Sequence, residues 1–431
     1  MKRVLIISYY WPPAGGISVI RPLKLAKYIS EFGWEPVVCT AENPHFPFED
    51  ENAAYEIPKG LEIIKVPIVE PYEIYKKLTG QKEKSALADV IYNAPKRSFL
   101  HNLSVWIRGN FFIPDARCLW INPVVKELTN YLEKNPVDAI ITTGPPHSVN
   151  RIGYLLNKNL QIPWLADFQD PWTQVDYYKH FKISKWAHKR HRKMENQIFD
   201  NANLITIVSN SWKKDLVSIG AKNIEVIPLG YDTTDFAENI MLDTKLTLTH
   251  LGLLGEDRSP TVLIEAIAEL CKQNKDFSNH FQLQLVGKVN EKLKQLVNKL
   301  GIIEQVSFAG QVNRDAALEI MQASQLLLLL LNKAENVSGR IPGKVFEYFG
   351  ARRPILSLGP ENTDIDLMLV ESGAGENIAY SNKDKLKIYL LDQLNQYLKN
   401  GINPTSNSVK KFTHKEVSAT FAKHLETITR K

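Results

Sequence analysis

The chain is poor in the residues that build metal centres and disulfide frameworks. Its three cysteines, Cys39, Cys118 and Cys271, are far apart and odd in number. No two stand at metal-ligand spacing, and they do not read as a disulfide framework. A reducing, cytoplasmic setting is the simplest expectation. Long apolar runs are absent too. The densest, Leu326 to Leu331, falls far below the roughly 18 residues that span a bilayer. It reads instead as a strand buried on both faces. The opening MKRVLIIS holds a short apolar run before Ser8, and a signal peptide needs about 7–15 such residues, so none is expected. Charge of one sign is in weak excess, 53 basic against 47 acidic residues, net +6. That is too little to argue for nucleic acid, and it suits an anionic small molecule or an anionic membrane surface.

What the chain does have is alternation. Short apolar runs, VLIIS (4–8), PVVCT (36–40), DAIITT (138–143), PWLADF (163–168), LITIV (204–208) and EVIP (225–228), are separated by helical patterns. A second series follows: LTLTHL (246–251), FQLQLVG (281–287), VSFAG (306–310), LLLLLL (326–331) and PILSL (354–358). Helical patterns include Pro22 to Phe32, ending at Gly33, and Thr261 to Cys271. The fold class is therefore α/β, two doubly wound Rossmann-like domains facing across a cleft. The first is expected over 1–233 and the second over 234–412, with the hinge in Ile227 to Phe236. The helical pattern at 413–431 is expected to cross back onto the first domain, with Thr413 and Glu416 as a capping box. Residues 70–120 look irregular, an insertion over the first domain's cleft edge.

The sharpest signal is GRIPGKVFEYFGARRPIL, Gly339 to Leu356. Pro342 fits a first helical position, followed by Gly343. Lys344 then sits where the helix dipole is already positive, and stability alone favours an acid there. An anion that comes and goes, such as a phosphate, explains that lysine. Lys344 and Glu347 share a face, and the bland alternative is a salt bridge worth about 0.2–0.5 kcal/mol. A charge-assisted bond to a ligand contributes roughly 1.5–3 kcal/mol, which favours the ligand reading. Arg352 and Arg353, at the helix's far end, suit its dipole.

Other candidates stand at the ends of predicted strands. Gly15 and Gly16, in YYWPPAGG, let the backbone approach a ligand closely or simply form a βα turn. His147, after AIITTGPP, is a ligand neighbour or a packing histidine. In LADFQDPW, Asp170 could hydrogen-bond a sugar hydroxyl or form an Asx turn before Pro171, while Asp167 reads as structural. Arg258 lies in a glycine-containing loop and suits phosphate. The stretch KHFKISKWAHKRHRK (179–193) carries seven Lys/Arg, three His and no acid. It is a solvated helix face or a contact for anionic lipid headgroups. DID at 364–366 reads as helix capping, and no metal is expected.

The whole chain resembles a GT-B glycosyltransferase of the retaining family-4 group. The resemblance rests on YYWPPAGG, on TIVSNSWKKDL (206–216), on VIPLGYDTTDF (226–236) and on GRIPGKVFEYFGARRPIL. PWLADFQDPW is similar to a bacterial branch active in surface-polysaccharide biosynthesis. The resemblance implies a nucleotide-diphosphate sugar donor bound mainly by the second domain, and a glycan or lipid-linked acceptor bound by the first. Glu347 matches the second glutamate of the family's E-x7-E motif, which holds the ribose, and Lys344 fits the diphosphate cation. The first glutamate is replaced by Gly339. Of the usual Arg and Lys in the second domain's first loop, the Arg position is Leu253 and the Lys position is Ser259, beside Arg258. A histidine common in the family corresponds roughly to Gln169, with Asp170 its ionisable neighbour, and the usual hinge Asn-Gly is Leu229-Gly230.

The expected activity is retaining transfer of a sugar to an acceptor hydroxyl without a cofactor, in cell-surface glycan or lipopolysaccharide biosynthesis. The donor contacts would be Gly15, Gly16, Arg258, Pro342, Gly343, Lys344 and Glu347, with Asp170 and His147 as catalytic candidates. The expected location is the cytoplasm, at the inner face of the membrane if 179–193 binds lipid. Two alternatives are a catalytically degenerate nucleotide-binding or scaffold subunit and a nucleotide-sugar 2-epimerase.

Overall fold

The computed structural model describes residues 1–46, 48–70, 99–255, 258–332 and 338–430. The chain divides into two compact units, Met1–Leu229 with His414–Lys431, and Gly230–Thr413.

The first unit is built on strands β1 (Lys2–Ser8), β2 (Trp34–Ala41), β3 (Glu62–Val66), β4 (Ala139–Thr143), β5 (Trp164–Asp167), β6 (Leu204–Ile207) and β7 (Ile224–Val226). All pair in parallel, in the order β3-β2-β1-β4-β5-β6-β7. Its helices are α1 (Ile17–Tyr28), α2 (Phe99–Phe111), α3 (Ile121–Leu132), α4 (Ser148–Leu160), α5 (Lys185–Asn201) and α6 (Asn210–Ser218). The second unit adds β8 (Leu246–Leu251), α7 (Thr261–Gln273), α8 (Lys275–His280), β9 (Phe281–Val286), α9 (Glu291–Leu300), β10 (Val306–Gly310) and α10 (Arg314–Ala323). It continues with β11 (Leu326–Leu330), α11 (Lys344–Ala351), β12 (Ile355–Leu358), α12 (Asp364–Ser372), β13 (Gly375–Ile378) and α13 (Lys383–Asn400). Its parallel sheet runs β10-β9-β8-β11-β12-β13. In both units the strand order reverses once, between β1 and β4 and between β8 and β11. Ligands of doubly wound sheets bind beyond the carboxyl ends of the strands at that reversal.

Burial on both faces explains the strand composition. Every residue of β4 and of β11 is buried, so five consecutive leucines hold a strand despite leucine's helical preference. The last helix, α14 (His414–Thr429), lies in the first unit. Lys415 pairs with Glu31 at 2.6 Å, and Lys2 with Glu426 at 2.6 Å. Four parts of the first unit meet at one buried guanidinium. Arg21 of α1 donates from Nη2 to the Ile227 carbonyl at 2.8 Å, lies 3.6 Å from the Asp167 carboxylate, and stands over the Phe421 ring. Thr206 holds the other Asp167 oxygen at 2.8 Å.

Several expectations need correction. The first helix starts at Ile17, five residues before Pro22. Proline is tolerated in its second turn at the loss of one bond, to the Ser18 carbonyl. The four residues before Gly33 tighten into a 3-10 turn. Edge strands β3 and β13 escape the sequence pattern, because an edge needs no continuous apolar run. Part of the supposedly irregular 70–120 is helix α2, while 71–98 lies outside the described residues. In α12, Thr363 and Asp366 form a reciprocal capping box.

Removing one partner of a buried ion pair strands the other. Arg21→Met should destabilise the protein by roughly 3–5 kcal/mol in urea unfolding. Arg21→Met combined with Asp167→Leu should recover much of that loss. Additive losses would show that the pair is not coupled.

Candidate functional site

In the second unit the helix that follows the reversal is tied back to the end of β8. Helix α11 follows β11, and Lys344 is its first residue. Lys344 Nζ donates to the carbonyl of Leu251, the last residue of β8, at 2.6 Å. Pro342 lies just before the helix rather than at its first position, and its carbonyl accepts from Val345 N at 3.0 Å. Gly343 takes the cap position without a side-chain cap, leaving the helix start unscreened.

The loop after β8 is shaped around the lysine. Gly252 has φ 123°, and a Cβ there would lie 2.7 Å from Lys344 Nζ. Only glycine meets both demands. Gly287, φ 126°, nests against the Gly252 carbonyl. Beneath them, Tyr348 OH accepts from Leu251 N at 3.3 Å and donates to the Leu328 carbonyl at 3.2 Å. His250 Nδ1 donates to the same carbonyl at 3.0 Å, which fixes its tautomer. Burial, with Lys344 and Arg258 nearby, pushes His250 down to about 3, so it stays neutral.

The lysine itself is held at a cost. Burial pulls its ammonium down to about 8, Arg258 pushes the same way, and Glu347 opposes them. The alternative reading, a salt bridge between Lys344 and Glu347, is not what the structure builds. Glu347 Oε1 accepts from Arg314 Nη1 at 3.1 Å, and Arg314 Nη2 donates to Asp235 Oδ2 at 2.6 Å. Burial raises Glu347 above the usual carboxylate range, and Arg314 works against that rise. Arg314 was not among the sequence candidates, because it lies 33 residues from Glu347 on another helix. Of the sequence candidates, Pro342, Gly343, Lys344, Glu347 and Arg258 thus fall in one neighbourhood. Arg352 and Arg353 bond backbone carbonyls of Thr405, Gln325 and Ile402.

In the first unit the remaining candidates flank the other reversal. Gly15 packs against the Phe48 ring, where any Cβ would overlap, and donates to the Phe48 carbonyl at 3.0 Å. Gly16 has φ 90° and begins α1. His147 precedes α4 and stacks on Trp172, with centroids 5.1 Å apart. Burial lowers it to about 3 and a ring N–H bonds to Pro171, the environment of a packing histidine rather than a proton carrier. Gln169, φ 53°, donates to Thr143 Oγ1 at 2.8 Å, and Asp170 follows it, half-buried. Asp167 is consumed by Arg21 and Thr206.

A two-unit Rossmann-like protein with an anion-ready helix start at its second reversal belongs to the GT-B fold class. The protein is a glycosyltransferase: residues 83–235 match the model for Glycosyltransferase Family 4, and residues 232–350 that for Glycosyl transferases group 1. Among curated proteins none matches the chain. Solved structures with the same fold include Anabaena HepE in complex with UDP, 15% identical, covering 99% of this chain and 100% of that one, TM-score 0.60. TarM of S. aureus is 11% identical, covering 100% and 99%, TM-score 0.57. The lipopolysaccharide outer core galactosyltransferase WaaB is 14% identical, covering 98% and 99%, TM-score 0.54. At such identities the likeness speaks for the fold alone.

A lysine kept for a ligand should burden the empty protein. Its ordinary ammonium value is 10.5 and its folded value about 8, so below pH 8 the folded state bears the full burial cost. Lys344→Met should therefore raise the melting temperature at pH 7 while abolishing nucleotide binding. A drop in melting temperature would make Lys344 a structural residue.

Proposed function

We propose that the second unit binds a nucleotide-diphosphate sugar and that the protein transfers the sugar with retention of anomeric configuration. The observation that carries this reading is the Lys344 ammonium, buried at a helix start and held against the end of β8. Lys344, Arg258 and the backbone amides opening α11, from Gly343 onward, stabilise the charge that develops as the diphosphate leaves. Glu347, held by Arg314, accepts the two ribose hydroxyls. Gly252 leaves room for the phosphates to approach the backbone.

The acceptor belongs to the first unit. Its hydroxyl attacks from the face the diphosphate leaves and gives its proton to the departing phosphate oxygen. Asp170 orients hydroxyls there, Gly15 and Gly16 allow close approach, and His147 forms part of the wall. HepE was solved with UDP, and a TarM variant with UDP and alpha-GlcNAc-glycerol, which makes UDP the first nucleotide to try. The resemblance of PWLADFQDPW to a surface-polysaccharide branch supports a role in cell-surface glycan or lipopolysaccharide synthesis. No step of this scheme calls for a metal or cofactor. Gly339, in place of the family's first glutamate, leaves the sugar end of the site to other residues.

The test is calorimetry with UDP, GDP and ADP, followed by their sugars. Glu347→Ala should weaken the preferred nucleotide roughly ten- to a hundredfold, the worth of a charge-assisted bond of about 1.5–3 kcal/mol. Binding by the parent protein should fall as pH drops through the raised Glu347 value, because the ligand needs the carboxylate. Arg314→Ala removes the influence that lowers it, so the fall should begin at higher pH. Comparison with Glu347→Gln subtracts the phosphate's own titration. Affinity for every nucleotide left intact by Glu347→Ala would remove the assignment.

A further inference from the structure

Helix α2 carries a stripe of exposed apolar side chains. Leu103, Ile107 and Phe111 follow one another at one-turn spacing, with Trp106 alongside, and Phe111 is 63% exposed. Trp106 and Phe111 meet edge to face at 5.8 Å. A soluble helix normally turns such residues inward. Beside the stripe, the C-terminal end of α2 is firmly tied down. Asn110, buried, accepts from Ser184 N at 2.7 Å and donates to the Trp106 carbonyl at 2.8 Å. Gly109 lies against Phe181, where a Cβ would come within 2.9 Å of the phenylalanine Cβ. Ser184 in turn caps α5 by accepting from Ala187 N.

The segment so clamped to α2 is the start of the basic stretch. Lys182, Lys185, Lys189, Arg190 and Lys193 are all exposed. Trp186 is 56% exposed among them, with the Arg190 guanidinium 5.6 Å from its ring. The nearest acid along α5, Glu195, is buried and bonded to Thr173 and Arg192, so it does not neutralise this face. One fixed junction thus places an apolar, aromatic stripe beside the first half of α5, whose exposed charges are all positive.

We propose that α2 and the first half of α5 form one docking surface for an anionic lipid bilayer. The α2 stripe and Trp186 enter the headgroup boundary, and the α5 cations bind the lipid phosphates. Aromatic and aliphatic side chains flanked by Lys and Arg are the chemistry that matches such an interface. A protein partner would have to offer both an apolar groove and an acidic rim at the same place. The reading stands apart from the donor site, which lies in the other unit.

Flotation of the full chain with vesicles tests it. Vesicles of phosphatidylglycerol and phosphatidylcholine should carry the protein at low salt, and pure phosphatidylcholine should carry far less. Lys185→Gln, Lys189→Gln and Arg190→Gln together should lower partitioning about a hundredfold, given about tenfold or less per cation. High salt should mimic that change. Phe111→Ser with Ile107→Ser should lower binding at least tenfold even at low salt, and both side chains are exposed. An unchanged melting temperature and circular dichroism spectrum in each variant would show that the first unit's fold persists. Lack of binding to anionic vesicles at low salt overturns the proposal. So does a Phe111→Ser effect on sedimentation of the free protein without one on vesicles, which would assign the stripe to a second copy of the chain.

Discussion

The ammonium of Lys344 sits 2.6 Å from the carbonyl of Leu251, and much of the second unit is arranged to keep it there. A positive charge at the first position of a helix opposes the helix dipole. Burial adds a second cost, which lowers the ammonium to about 8. The fold offsets these costs with one carbonyl at the end of β8, a glycine at 252 whose missing side chain makes the space, and a tyrosine that fixes the carbonyl's strand. Gly287 then allows the Gly252 loop to lie close to the next strand's exit. Three segments far apart in sequence are thereby committed to one cation. Such an arrangement has little value to the empty protein and a clear value to one that binds a diphosphate.

The second constraint is the division of labour among charges. Lys344 faces the helix start, while Glu347, one turn on, is engaged by Arg314. Were Lys344 and Glu347 bridged to one another, each would neutralise the group its ligand needs. Arg314 prevents this by engaging the Glu347 carboxylate, whose charged form it favours, and also gripping Asp235, just past the boundary between the units. In the first unit charges serve the fold. Arg21 and Asp167 join four segments around a reversal of strand order, and His147 is stacked and neutral.

The central strands were legible because burial on both faces leaves a continuous apolar run, as in Leu246–Leu251, which coincides with its predicted span. Edge strands such as Gly375–Ile378 were not, since their residues are largely polar and half-buried. The start of α1 was hidden by Pro22, which sequence logic places at a helix beginning. The oddity of Lys344 could be read from its position alone. Its partner carbonyl, and the role of Arg314, depend on which strands lie side by side, and no local pattern carries that. Gly252 could have been found from a glycine directly after a buried strand. The apolar stripe of α2 was lost inside a region that looked irregular, because its aromatic residues do not alternate with a buried face.

The central claim is that Lys344 is a buried cation reserved for the donor's diphosphate, and it is tested most directly by the affinity for UDP between pH 7 and 9. The UDP phosphates are already ionised over this range and the uracil N3–H titrates mainly above it, so the protein's titration dominates. The ligand selects the protonated lysine, and the free protein loses that proton near pH 8. Calorimetry should show nearly constant affinity up to about pH 8, then a decline approaching tenfold per unit, with a proton taken up on binding. Lys344→Arg should abolish both the decline and the proton uptake. Affinity that stays flat to pH 9, or declines equally in the arginine variant, would contradict the account.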